Sequence, residues 1–291
     1  MNGLSMLPEM ILSITNALQT RLKIPFYHTV FLSTEAAACR FISALRRQAF
    51  ARASVKVLYL ESPVPSDSGS KILQLCEHLE EVLLHIPIFD ADASNIFLPH
   101  LDSLPLKFLT ADLSAIFGNR QIVYLPGIPT FNHITHLHVS NVWVLWGGSI
   151  GLPQLEQLTH LSLHVNTSHR HLTNLKDLLS SKNLQVLVLW RREHESYGCV
   201  QCFLSSANIS DPCIIIMNCT LFREYSNEDH AFWEYAGAIV EWQKASQGEN
   251  HLEVCWPFTY KLRAAGSFDT NISLAHKLFR FFPIALHSCV H

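Results

Sequence analysis

The chain has 291 residues, of which 48% are hydrophobic and 15% are charged, and its formal net charge is −3. This composition is typical of a globular protein rather than a disordered one. No run of lysine and arginine exceeds two residues, which argues against a nucleic-acid-binding protein, because such proteins need a concentrated basic face. No uninterrupted apolar span of about 18 residues occurs, so we predict no transmembrane helix and no membrane partner.

Residues 1–50 are predicted to form an N-terminal helical segment. Arg21 is the first basic residue and Glu9 interrupts the apolar stretch before it, so we expect no signal peptide. We therefore expect a cytoplasmic protein, with the nucleus left open, whose eight cysteines are free thiols. Residues 25–32 are typical of a strand, and Thr34 can cap a helix that ends at Arg47.

Residues 51–225 are predicted to form a leucine-rich-repeat domain, because one six-residue phrase with apolar first, fourth and sixth places recurs along them. The phrases begin at Val55, Leu79, Leu106, Ile134, Leu158 and Leu184. Their steps of 24, 27, 28, 24 and 26 residues are close to the period of about 20–29 residues in leucine-rich repeats. We predict an α/β fold: an irregular solenoid with a parallel concave sheet and helices or loops on its convex side. A seventh strand is expected at residues 212–217, in an uncertain register.

Helices are predicted behind the sheet and at its end. Ser70–His78 and the stretch before Leu184 have apolar residues at helical spacing. Residues 226–247 are predicted to be a C-terminal capping helix, because Asn227 can act as its N-cap. Residues 248–291 match no pattern and are left unplaced.

The strand at residues 25–32, the alanine-rich helix after it and the phrase at Val55–Leu60 together resemble fungal F-box/leucine-rich-repeat-like proteins. The resemblance extends over residues 25–246. It implies the substrate-recognition subunit of a cullin-type ubiquitin ligase, with a ligase adaptor as a possible second partner. Of the F-box, only Leu7–Ile14 resembles the opening helix. We therefore expect that this chain does not dock on the adaptor by itself.

The third, fifth and seventh places of each phrase point away from the buried leucines and are predicted to line the concave face. They combine aromatic, aliphatic and imidazole groups with few charges, which favours a protein partner. Trp190 is the predicted aromatic anchor. The predicted protein-binding residues are Tyr59, Glu81, Phe108, His136, His138, His160, Ser162, His164 and Trp190.

The alternative function is that of a serine hydrolase, because residues 147–151 match the G-x-S-x-G motif around Ser149. Asp177 or Asp211 and then His230 follow in a permitted order. However, the motif requires a helix that starts at the serine, and a leucine–proline pair follows it instead. We interpret the motif as a glycine-rich loop and predict no catalytic residues.

Two groups of residues suggest a metal site. Cys199 and Cys202, with Cys213 and Cys219 after them, have zinc-like spacing, but the later pair lies in or beside a strand, so we expect buried thiols.

His136 and His138 share one face of a strand, and His160 has the same repeat position as His136 on the next strand, about 4.8 Å away. His136 and His160 could therefore touch, as a metal site or a pH-sensitive contact. The alternative is that these are two ordinary solvent-facing positions of the concave sheet, which we favour because no nearby carboxylate in these strands completes a ligand set. We predict no metal and no cofactor.

Overall fold

The structure is a computed structural model that describes residues 28–86, 96–117, 123–142, 150–164, 172–191, 197–218 and 229–245. The chain divides into two compact units, one of residues 1–166 and 173–184 and one of residues 167–172 and 185–291. The predictions for Leu7–Ile14 and for residues 248–291 lie outside the described residues.

The first unit is an α/β arrangement whose six strands pair in parallel and in chain order. Its strands are β1 (Thr29–Leu32), β2 (Val57–Glu61), β3 (Glu81–His85), β4 (Phe108–Ala111), β5 (His136–Val142) and β6 (His160–His164). Its helices are α1 (Glu35–Arg47), α2 (Ala49–Ser54), α3 (Ser66–Leu75), α4 (Leu98–Leu101), α5 (Leu113–Phe117) and nearly all of α6 (Leu172–Leu179). Short 3-10 helices lie at Leu125–Gly127, Pro129–Asn132 and Leu152–Gln154. Every strand pairing that the structure describes in this unit is parallel, as the repeats predict.

A shared backbone carbonyl aligns each repeat with the next. The carbonyl of Lys56 accepts from the amides of Glu80 (2.8 Å) and Glu81 (3.0 Å). The carbonyl of Glu80 then accepts from those of Lys107 (2.8 Å) and Phe108 (3.1 Å). The same pattern recurs at the next two steps. Each strand from β2 to β6 therefore starts at the third place of its phrase, two residues later than predicted.

The apolar fourth and sixth places form the core of the first unit, as predicted. Each of these side chains is at most 1% exposed: Leu58, Leu60, Val82, Leu84, Leu109, Ala111, Leu137, Val139, Leu161 and Leu163. Burial of a leucine side chain contributes about 1.5–3 kcal/mol, so these two rows account for much of the stability of the sheet.

Helix α1 begins and ends where the sequence predicts. The Thr34 hydroxyl accepts a hydrogen bond from the Ala37 amide at 3.2 Å, which satisfies one of the free amides of the first turn. The helix buries Ala38, Ile42 and Leu45. The strand before this helix, β1, pairs with β2, so the sheet starts before residue 51.

Helix α3 starts four residues before the predicted Ser70 and ends at Leu75, three residues before the predicted His78. Its polar first turn was not recognised from the apolar spacing, which starts only later. Gly69 lies against the sheet, because a Cβ there would be 2.9 Å from Ile86 Cδ1 and 3.3 Å from Leu60 Cδ1. The missing side chain therefore allows this helix to pack closely behind β2.

The second unit contains β7 (Val186–Arg191), α7 (Tyr197–Ser206), β8 (Ile214–Asn218) and α8 (Asp229–Ala245). β7 and β8 are parallel, with Leu187 opposite Ile214. Since Leu187 holds the fourth place of its phrase, the matching phrase starts at Asp211 and not at Pro212. The run of isoleucines hid this one-residue difference. Helix α8 agrees with the predicted capping helix to within two or three residues.

No helix within the described ranges has the length and apolarity needed to cross a membrane.

Candidate functional site

The front face of the first unit consists of the third, fifth and seventh places of its repeats, opposite the leucine core. Phe108, His136 and His160 occupy one row of this face in register and are partly exposed. The rings of Phe108 and His136 stack at 4.1 Å, and those of His136 and His160 stack at 4.0 Å, with interplanar angles of 21° and 15°. We call these three residues the aromatic ladder. The predicted contact between the two histidines is confirmed.

A threonine before each ladder histidine orients its ring. The Thr135 hydroxyl donates to the Lys107 carbonyl at 3.2 Å and lies 2.8 Å from His136 Nδ1. The Thr159 hydroxyl does the same with the Thr135 carbonyl (3.1 Å) and His160 Nδ1 (2.8 Å). A hydroxyl has one proton to donate, so when that proton goes to the backbone carbonyl, Nδ1–H is the donor to the threonine oxygen. In a neutral ring held in this way, Nε2 is the unprotonated nitrogen.

Thr135 and Thr159 were not among the predicted site residues. The sequence does contain a pattern that could have identified them, because the same Thr-His pair occupies the second and third places of two successive phrases. Burial lowers the pKa of His160 to about 4, so this ring is neutral at pH 7.

A second group of imidazoles, His85, His138 and His164, lies on the front face beside the ladder. His138 is 2% exposed, its Nδ1 lies 2.7 Å from Ser162 Oγ, and its ring meets that of His164 edge-on at 5.9 Å. Burial holds the pKa of His138 well below its usual value, and the nearby His164 and His85 lower it further. Burial also lowers the pKa of His85. The prediction that His138 lines an accessible binding face is therefore wrong.

A bulge interrupts the seventh row. Val139 of β5 lies opposite Leu163, but the next residue of β6, His164, lies opposite Val142. Two extra residues therefore lie on β5 at this point, so Ser140 is not the strand partner of His164. The bulge was not visible in the phrase pattern.

Tyr59 and Glu81 are buried on the front face. The Tyr59 hydroxyl donates to Glu81 Oε1 at 2.8 Å. Phe31, which is exposed, stacks on the Tyr59 ring at 4.3 Å. Tyr59 also belongs to a buried cluster with Val57 and Leu83.

Five of the nine predicted protein-binding residues are therefore not accessible. They are Tyr59, Glu81, His138, Ser162 and Trp190. The predicted anchor Trp190 is 3% exposed and stacks on Phe232 of α8 at 5.6 Å, so it is a core residue of the second unit. The alternation of residues along a strand shows on which face of the sheet a side chain lies, but it does not show whether other residues cover that face. The partly exposed residues of the predicted set are Phe108, His136, His160 and His164.

The backbone conformation explains why the last residue of the glycine-rich motif, Gly151, is a glycine. Gly151 has a φ of +83°, and a Cβ there would lie 2.5 Å from Pro126 Cδ, so the position requires glycine. The element that follows is a three-residue 3-10 helix, Leu152–Gln154, and not the α-helix of a nucleophile elbow. Ser149 lies outside the described residues.

The cysteines are in different environments. Cys199 and Cys202 are exposed on α7, so the expectation of buried thiols is wrong for these two. Cys213 is buried, and burial raises the pKa of its thiol. Cys219 lies outside the described residues. Within the described part of the chain, no three His, Cys, Asp or Glu residues are grouped so as to hold a metal ion.

Comparison of the chain with protein-family models, with curated proteins and with solved structures found no match.

Proposed function

We propose that this chain is a non-enzymatic protein-recognition scaffold, with a role like that of the substrate-binding repeat domain of an F-box ubiquitin-ligase subunit. The aromatic ladder is the observation that supports this proposal. It offers three partly exposed rings, stacked at 4.1 and 4.0 Å, on one face of a parallel sheet. Aromatic side chains, phenylalanine among them, are enriched in protein interfaces relative to the rest of the surface.

The ladder is also held in place before any partner arrives. Each histidine ring stacks on its neighbour and is bonded through Nδ1 to a threonine that is itself bonded to the backbone. A side chain that is already ordered loses little conformational entropy on binding, which saves about 0.5–1.5 kcal/mol per residue. A neutral imidazole such as His160 also costs less to desolvate than a charged group.

The proposal is tested by capture from a cell lysate on the immobilised protein, followed by quantitative mass spectrometry. The test variant carries Phe108→Ala and His136→Ala together. The control is Tyr124→Ala, which removes an aromatic ring that is 56% exposed and outside the ladder. We expect a protein that both the wild type and the control retain, and that the ladder variant retains at least about 10-fold less. Equal retention by all three proteins would contradict the proposal, provided that circular dichroism shows the variant to be folded.

The ligase part of the proposal needs its own test. We expect no stable complex when the purified chain is mixed with a ligase adaptor alone, because only Leu7–Ile14 resembles part of an F-box. Co-elution of the two proteins in size-exclusion chromatography would overturn this expectation. It would leave the ladder-dependent capture experiment unaffected.

A further inference from the structure

Strand β1 forms an open edge of the sheet in the first unit. It pairs in parallel with β2, and within the described ranges no strand pairs with it on its other side. Its sequence is Thr-Val-Phe-Leu, so neither a proline nor a charged side chain protects the edge. Thr29 is exposed and Phe31 is 48% exposed, so solvent reaches the front of this strand. An edge of this kind is a template for the pairing of another strand.

The backbone of β1 presents two donors and two acceptors at the open edge. The Lys56 carbonyl faces β3, so the backbone groups of the next residue, Val57, face β1. Val57 lies opposite Thr29, and in a parallel ladder it bonds to the residues on either side of its partner. The N–H and C=O groups of Thr29, and by alternation those of Phe31, therefore point away from β2.

These four groups are self-complementary. A two-fold axis that passes through Val30, normal to the sheet, places a second copy of β1 antiparallel to the first. Thr29 of each copy then lies opposite Phe31 of the other. The two pairs exchange four hydrogen bonds, which use every outward backbone group of both copies. The front faces of the two copies lie on the same side.

The side chains of β1 also match under this symmetry. The two Val30 residues lie directly opposite each other, in a pair whose Cα atoms are about 4.5 Å apart. The two Phe31 residues are diagonal neighbours at about 7–8 Å, which is within reach of aromatic rings. Each Phe31 ring already stacks on Tyr59 at 4.3 Å, so the contact across the axis would join the two stacks.

The charges of helix α1 favour the same antiparallel arrangement. Glu35 lies in its first turn, and Arg46 and Arg47 lie in its last turn. The two-fold axis makes the α1 helices of the two copies run in opposite directions. The acidic end of one helix is therefore on the side of the basic end of the other, which is a complementary arrangement of charge.

We propose that two copies of this chain associate through β1, as antiparallel edge strands that join their sheets. This inference goes beyond the proposed function and does not depend on the aromatic ladder. One strand pair is smaller than the interface of a permanent dimer, which buries about 2,000 Å² or more, so we expect a reversible dimer with a micromolar dissociation constant.

Sedimentation velocity of the full chain tests the association. Its average mass should rise from 33.0 kDa towards twice that value between about 1 and 200 µM. Phe31→Lys puts a charge at the centre of the edge and should weaken the dimer at least about 10-fold. The control Tyr124→Lys makes the same change at a ring that is 56% exposed outside the strand, and it should have an effect of less than about 2-fold. A wild type that keeps the monomer mass throughout, or equal effects of the two variants, would overturn the proposal.

The backbone pairing is tested by Phe31→Pro against Phe31→Ala. Both remove the ring, but only proline also removes the outward amide. Proline leaves the ladder with β2 intact, because that amide does not face β2. We expect the proline variant to dimerise at least about 10-fold more weakly than the alanine variant. Equal dimerisation of two variants that circular dichroism shows to be folded would contradict pairing through this edge.

Cross-linking tests the register and does not require a proline. Val30→Cys should give a disulfide-linked dimer with oxidised glutathione, because a Cα distance of about 4.5 Å permits the bond. Thr29→Cys should not, because the two copies of this residue are diagonal neighbours at about 7–8 Å. Non-reducing electrophoresis measures both, with the wild type as the control for the native thiols. If the two variants cross-linked equally, the register would be wrong.

The two proposals can fail separately. A monomeric wild type would overturn the association through β1 and leave the ladder-dependent capture experiment unaffected. Loss of ladder-dependent capture would likewise leave the dimer measurements unaffected.

Discussion

Mild acid should destabilise the first unit through its front-face imidazoles. Burial lowers the pKa of His160 to about 4 in the folded protein, whereas an unfolded histidine has a pKa of about 6.5. Between these values the unfolded chain binds a proton at this site that the folded chain does not bind. The free energy of unfolding therefore falls as the pH is lowered from 6.5 towards 4. The lowered pKa values of His138 and His85 act in the same direction.

The size of the effect follows from the two pKa values of His160. With these values, the free energy of unfolding should be about 2 kcal/mol lower at pH 5 than at pH 7. Because solvent reaches part of the ring, we expect about 1 kcal/mol from His160. The measurement should stop at pH 5. Below that, Glu80, whose pKa Lys56 and Lys107 lower, would lose the stabilisation that its ion pairs supply above pH 4.5.

Urea unfolding of wild type and His160→Gln at pH 7, 6 and 5 measures this contribution. Glutamine does not titrate, so the difference in unfolding free energy between pH 7 and pH 5 should shrink by about 1 kcal/mol. Leu161→Ala is the matched control. It should lose about 2–5 kcal/mol at both pH values, because Leu161 is fully buried, and keep the wild-type pH difference. If His160→Gln kept the full wild-type pH difference, the argument from burial would be refuted.

Three further substitutions test the packing. Gly69→Ala should lower the free energy of unfolding by about 1–3 kcal/mol, since its Cβ would lie 2.9 Å from Ile86; chemical denaturation measures this. Trp190→Ala should lower the free energy of unfolding by about 3–5 kcal/mol, because the buried ring loses its contact with Phe232. A surface residue would show little loss of stability. Thr159→Val should lower the free energy of unfolding by about 1–2 kcal/mol, because the His160 ring loses its hydroxyl partner. The NMR signals of the His160 ring should broaden for the same reason.

The sequence was sufficient to predict the strands because the leucine spacing reports which side chains are buried. Leu137 and Leu161, for example, repeat at the same place of successive phrases and both lie in the core. The stacking of His136 on His160 was predictable from the same register. The sequence did not show which front-face residues are accessible to solvent. The alternation of residues places Tyr59 and His160 on the same face of the sheet, but Tyr59 is buried and His160 is partly exposed.

Local irregularities were also invisible in the phrase pattern. In β8 the successive residues 214–216 are all isoleucine, so a shift of one residue leaves the apolar pattern unchanged. In β5 the extra residues between Val139 and Val142 do not change the step to the next phrase. In both places the tertiary pairing decides between registers that the side chains alone do not distinguish.

The carbonyl shared between neighbouring repeats has a consequence for how this chain can change in length. Because the Glu80 carbonyl holds both Lys107 and Phe108, it sets where β4 begins regardless of the length of chain that precedes it. The steps between phrases of the first unit already vary from 24 to 28 residues while the strands stay in register. Insertions and deletions behind the sheet should therefore leave the spacing of the aromatic ladder unchanged, so that the connections can diverge while the front face is preserved.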